Sequence, residues 1–184
     1  MVRMMRGGMW VMSSALAALS SCTGAPARPE VRERVMVSSS FENILGFAEQ
    51  VPPSLTTEKA HTGRYAVRVD AQNQYSLTYH GTLGQLCTTK PRKFIFSAWV
   101  WVPRPEDEAT LILALTSPDD PEHPLLHKNV YLTDRGPYGK WKQVRREIDV
   151  PGTVNRNTRL ALYLWNGTAQ QPVYADDWQL AELK

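Results

Sequence analysis

The chain has 184 residues, with 21 Lys and Arg against 18 Asp and Glu, six Trp, seven Tyr, four Phe and two Cys. That length suits one domain with a real core rather than two, and an apolar fraction of 42% argues against a disordered chain. Two cysteines exclude a disulfide scaffold, and a net charge of +3 is too small for a nucleic-acid footprint, so no nucleic-acid partner is expected.

Residues 1–21 read as an export signal. Arg3 and Arg6 form a positive start, Met9 to Leu19 an apolar run too short to span a bilayer, and small residues follow. Leu19-Ser20-Ser21-Cys22 resembles the lipobox of bacterial lipoproteins. That resemblance implies cleavage before Cys22, a diacylglyceryl group on its thiol and an acylated, palmitate-type N-terminus. The plain alternative is a secretory signal in which Cys22 is incidental. By the same resemblance, Thr23 in place of an acidic residue favours the outer membrane. Lipid on Cys22 leaves Cys87 without an intramolecular partner, so it is expected to be a buried or inert thiol. Loss of Arg3 and Arg6 takes the 21 basic groups to 19 against 18 acidic, a nearly neutral mature chain. Residues 22–32 then form the lipidated N-terminus and a Pro-rich tether, and residues 33–184 the domain.

Period-two segments predict strands over 34–41, 64–70, 74–80, 93–102, 109–116, 128–133, 141–150, 158–165 and 172–182. Pro91 and Pro103 bracket one strand, and Pro118, Pro121 and Pro124 keep the following loop out of a helix. No long stretch carries a helical apolar stripe. The fold class expected is all-β: a two-sheet antiparallel sandwich, a jelly roll of about nine strands.

Alternation assigns faces. In Arg159 to Trp165 the three Leu share one side and Tyr163, Trp165 and Arg159 the other, so the leucines belong to the core and the aromatics to an outer face. Leu111, Leu113 and Leu115 likewise oppose Thr110, Ile112 and Ala114. From Phe94 to Val102 both sides are apolar, which predicts a central strand. Arg146 interrupts the Val144–Ile148 side, and an inward Arg there needs a carboxylate, a bulge or a ligand.

Ordered short motifs then define a likeness. Ser40-Phe41-Glu42, the turn Ala60-His61-Thr62-Gly63-Arg64, Phe96-Ser97-Ala98-Trp99-Val100, Gly139-Lys140-Trp141, Leu162-Tyr163-Leu164-Trp165-Asn166 and Tyr174-Ala175-Asp176-Asp177-Trp178 follow one another across about 140 residues. In that order they resemble the β-jelly-roll carbohydrate-binding modules of the galactose-binding-like type. The resemblance implies a structural Ca²⁺ held by Glu42, by Glu58 or the His61 carbonyl, and by Asp176 or Asp177. Ca²⁺ takes six to eight oxygen ligands, so clustered carboxylates suit it. The alternative is that Glu42 and Asp177 cap strand ends and meet water or Arg64.

A sugar needs a flat ring beside hydrogen-bonding groups. The candidates are Tyr163, Trp165, Trp101, Tyr79, Tyr75 and Arg159, with Gln74 and Asn73 nearby, while Trp99 and Trp141 read as packing residues. For any single aromatic, core or sheet-covering contact is the competing reading. Asp119, Asp120, Glu122, His123 and His127 crowd one loop, but Pro124 denies the two His a shared helix face, so a solvated loop is expected rather than a metal site. Asn166-Gly167-Thr168 matches a glycosylation sequon but reads as a tight turn. No catalytic motif is evident. The function expected is a membrane-anchored, non-catalytic binding module for a polysaccharide or glycoconjugate at the bacterial envelope. A jelly-roll lyase or glycosidase and an envelope protein making protein contacts are the alternatives.

Overall fold

A computed structural model describes residues 32–44 and 50–183; the signal, Cys22 and most of the tether lie outside them. Among the described residues ten strands and one short helix follow in order. They are β1 (Glu33–Ser39), β2 (Leu55–Thr56), β3 (Ala66–Val69), β4 (Tyr79–Thr82), α1 (Leu83–Leu86) and β5 (Lys93–Trp101). After these come β6 (Ala109–Thr116), β7 (Leu126–Tyr131), β8 (Trp141–Asp149), β9 (Arg159–Asn166) and β10 (Val173–Leu183). Every pairing is antiparallel. One sheet has the order β2-β3-β10-β5-β8, with β1 also on β10, and the other the order β4-β9-β6-β7. This is the expected two-sheet jelly-roll sandwich.

The core lies between the sheets and is built by alternation. Leu111, Leu113 and Leu115 of β6 and Leu160, Leu162 and Leu164 of β9 are fully buried against Phe94, Phe96, Ala98 and Val100 of β5. Each such leucine stabilises the fold by about 1.5–3 kcal/mol relative to an exposed one. The central-strand reading of 93–102 holds, because β5 pairs with β10 on one side and β8 on the other.

Three departures have local causes. The predicted strand 74–80 is split: Tyr75 bridges Trp165, but the Ser76 hydroxyl accepts the Leu164 N–H at 2.9 Å, and regular pairing resumes only at Tyr79. A serine side chain has taken a ladder bond from the backbone. β2 is two residues long, too short to show a period. α1 was not foreseen; it is a single turn whose Gln85 side chain accepts the Thr82 N–H at 2.9 Å. A bulge in β10 sets Asp176 opposite Trp99 and Gln179 opposite Ser97, with Asp177 at φ 49°. It turns Trp178 inward against Phe41, with ring centroids 5.1 Å apart. Arg146 needs no inward partner, because β8 is an edge strand and the side chain reaches solvent, donating to the Arg145 carbonyl.

Candidate functional site

The register of the four-stranded sheet fixes what its outer face presents. Trp165 of β9 lies beside Thr110 of β6, which lies beside Tyr131 of β7. One row along, Tyr163, Ile112 and Asn129 follow in the same way. The bridge at Tyr75 adds a further ring next to Trp165. The result is a groove of about 320 Å³ lined by Tyr75, Ile112, His127, Asn129, Tyr163 and Trp165.

Its chemistry has two parts. Tyr75 and Tyr163 stand 6.0 Å apart at 55°, and Tyr75 is 59% exposed, so ring surface faces open solvent. Burial, then the neighbouring Tyr75, pushes the Tyr163 phenol above its ordinary value, which keeps it a neutral hydroxyl donor. The Asn129 amide donates to the Tyr131 hydroxyl at 3.3 Å, yet its own Oδ1 is buried and has no partner among the described residues. A buried acceptor left unpaired costs roughly 1–3 kcal/mol.

Of the sugar candidates, the groove gathers Tyr75, Tyr163 and Trp165. Arg159 shares their face but stands four positions away on β9, in a separate depression with His80, Thr82 and Gln85. Tyr79 does not belong: it pairs with core-facing Leu162 and packs on the core, where burial raises its phenol pKa. The pairing slips by one residue between Tyr75, opposite Trp165, and Tyr79, opposite Leu162, which reverses the face its ring takes. Trp101 does not belong either. It lies on the outer face of the other sheet, beneath the Lys59 ammonium at 4.1 Å. Asn73 bonds to Asp70, and Gln74 engages the Asn166 N–H through its carbonyl. Ile112 was already placed opposite the leucines by alternation. Asn129, Tyr131 and His127 were missed as a set, although His127-Lys128-Asn129-Val130-Tyr131 alternates. Starting that strand at 128 left His127 in the loop, and Asn129 gives no signal of its own.

The expected calcium ligands meet different partners. Asp176, fully buried, accepts the N–H groups of His61 at 2.8 Å, Thr62 at 3.1 Å and Asp177 at 2.7 Å. Burial raises its carboxyl pKa, and those three N–H bonds oppose the rise. Asp177 takes the His61 ring at 2.6 Å and the Thr62 hydroxyl at 2.6 Å. Glu42 accepts the N–H groups of Arg64 and Tyr65, both at 2.7 Å. Gly63 permits this approach: it has φ 59°, and a Cβ there would stand 2.5 Å from the Glu42 Oε1. Glu58 is elsewhere, paired with Arg68 and with the Tyr174 hydroxyl at 2.9 Å. That phenol is pushed up to about 12 by burial and then by Glu58. Among the described residues no three or more acidic, His or Cys side chains converge as a metal group. The carboxylates of Glu42, Asp176 and Asp177 clamp the 61–65 turn as acceptors of its hydrogen bonds.

Asn166 is 4% exposed and ties its turn through Asp70 and Ala169, so the sequon is the expected tight turn. Cys87 is buried and its thiol lies 3.2 Å from the Met36 sulfur.

The two-sheet antiparallel sandwich has the fold seen in β-jelly-roll carbohydrate-binding modules. The xylan-binding CBM22-2 domain of Paenibacillus barcinonensis Xyn10C matches with a TM-score of 0.55 at 16% identity, over 80% of this chain and 99% of that one. The C-terminal family 22 carbohydrate-binding module of Clostridium thermocellum Xyn10B matches with a TM-score of 0.52 at 13% identity, over 80% and 92%. The CBM22-1–GH10 modules of the same xylanase, complexed with xylohexaose, match with a TM-score of 0.52 at 14% identity; 82% of this chain covers 29% of that one. No protein-family model matches the sequence, and comparison with curated proteins gives no match.

Proposed function

We propose that the chain is a non-catalytic polysaccharide-binding module that holds a xylan-type chain in the Tyr75–Tyr163–Trp165 groove. The observation that carries this reading is the open ring surface of Tyr75 and Tyr163 in a groove that polar side chains also line. Sugar rings stack on aromatic faces, and their hydroxyls find polar groups in the His127, Asn129 and Tyr163 side chains that line the groove. Neighbours of the same fold that bind xylan support the polymer class. The two groove rows carry no carboxylate, whereas glycoside hydrolysis calls for two acids within ~5–10 Å of each other. The lipobox-like Leu19–Cys22 supports export and lipid anchoring, so the module would display its groove at the bacterial outer membrane.

Residues 33–184 are expected to be retained by xylan and by at least one member of a broad glycan array, and the Tyr163→Ala/Trp165→Ala double variant to lose that retention. Failure to bind any glycan would sink the reading. For the anchor, metabolic labelling with palmitate should mark the parent and not Cys22→Ser.

A further inference from the structure

Beyond the aromatic rows the outer face of the four-stranded sheet continues towards a cationic end. The next row across the sheet is His80, Ala161, Ala114 and His127, and the one after it Thr82, Arg159 and Thr116. Two adjacent alanines make a low floor between Tyr163 and Arg159, which are four residues apart on β9, or about 13 Å. Arg159 is exposed, and its guanidinium has no ion-pair partner among the described residues. The four rows hold no Asp or Glu. Of the flanking acids, Glu108 lies just before β6 beside the Gly167–Ala169 turn, and Asp119, Asp120 and Glu122 are exposed in the loop after β6, where Asp120 is bonded to His123 at 2.8 Å.

We propose that the ligand is an acid-substituted polysaccharide, bearing uronic acid carboxylates, that lies along β9. Its rings stack on Tyr163 and Trp165, and one carboxylate pairs with Arg159. This rests on the glycan-binding reading above and names the class of chain that the same face selects. A planar guanidinium matches a carboxylate in two parallel hydrogen bonds. A face with no acid of its own repels no part of an anionic chain, and only its far end carries a free cation. A neutral polymer would use the rings and leave Arg159 idle.

Calorimetry on the full chain, in low salt, with glucuronoxylan and with the same polymer after reduction of its carboxyl groups, tests the assignment. The parent should bind the acidic polymer about fivefold more tightly, as for an exposed ion pair, and 0.5 M NaCl should shrink that ratio. Arg159→Gln should bring the two polymers within twofold of each other, and Arg159→Glu should reverse the preference. Tyr163→Ala should weaken both polymers alike. Equal affinity of the parent for both polymers, or an acid preference that survives in Arg159→Gln, overturns the proposal while leaving glycan binding intact. Binding of neither polymer removes the glycan-binding reading and this proposal with it.

Discussion

Both outer faces of the sandwich are aromatic, and they meet different fates. On the six-stranded sheet Trp99, Trp101, Trp141 and Tyr174 form a patch over which the 57–65 segment folds back. His61 stacks on Trp99 at 3.9 Å and 11°, Lys59 sits over Trp101 at 4.1 Å, and Glu58 takes the Tyr174 hydroxyl. On the four-stranded sheet Tyr75 and Tyr131 remain more than half exposed, at 59% and 53%, and the Asn129 oxygen has no partner among the described residues. An aromatic outer face is therefore not in itself a binding site. What separates the two is whether the chain supplies its own cover and its own hydrogen-bond partners.

The largest expected effect comes from loosening the covered face. Asp176→Ala removes one buried acceptor of three N–H bonds and should cost about 3 kcal/mol, lowering Tm by ~10 °C. Glycan affinity of the folded variant should change less than twofold. An unchanged Tm would show that the 61–65 turn needs no clamp, and the comparison of the faces would lose its first term.

The open face should respond in the opposite way. Tyr163→Ala and Trp165→Ala are each expected to weaken xylan binding by tenfold or more, in line with ~1–3 kcal/mol for a stacked ring. Their Tm should move by only ~3 °C, because neither ring is in the core. Trp101→Ala serves as the control from the other face and should leave affinity unchanged. If Trp101→Ala weakens binding as much as Trp165→Ala, the two faces are not functionally distinct.

Much of this was legible in the sequence. Leu160, Leu162 and Leu164 announce which side of β9 is core, so Tyr163 and Trp165 follow as outward residues by period alone. The same rule cannot separate Trp165 from Trp101, since both alternate away from the core. Only the fold-back of Lys59 and His61, some forty residues earlier in the chain, covers one and not the other. Tyr79 failed for a related reason: Ser76 interrupts the ladder, and a one-residue change of register reverses a face. Asn129 was invisible because its significance lies in a missing partner, and a missing partner is a property of the packed structure.

A smaller effect distinguishes the clamps beside the two faces by pH. Asp107 holds the turn after Trp165, accepting the N–H groups of Gln170 and Gln171 at 3.0 Å and pairing with Arg104. Burial acts to raise its carboxyl pKa, but Arg104 and the two N–H bonds outweigh it, so the value lies below the ordinary one. Its stabilising contribution is full above the unfolded carboxylate pKa of about 4 and is lost as pH falls through the lower folded value. Asp176 is raised by burial, so between the unfolded and folded values the folded chain binds more protons and stability grows as pH falls. Urea melts from pH 7 to pH 3 should show Asp107→Asn less stable than the parent at neutral pH, with the gap closing in acid. A gap that widens in acid would reverse the assignment.

The smallest expected effect is that of a chelator. Calcium would stabilise the covered face by binding the folded chain and not the unfolded one, and it would share the oxygens of Glu42, Asp176 and Asp177 with the donors of the 61–65 turn. Asp176 already accepts three N–H bonds, Asp177 engages His61 and Thr62 through both oxygens, and the Glu42 Oε1 accepts two N–H bonds. An ion that took these oxygens would compete with the donors that hold the 61–65 turn, and each displaced buried N–H would cost roughly 1–3 kcal/mol. EDTA should therefore shift Tm by less than ~1 °C, within the scatter expected for a change well under 1 kcal/mol. A drop of ~5 °C or more, restored by Ca²⁺ and absent in Asp177→Asn, would mean that the clamp rearranges around an ion and that this face is held by metal rather than by the turn's own N–H groups.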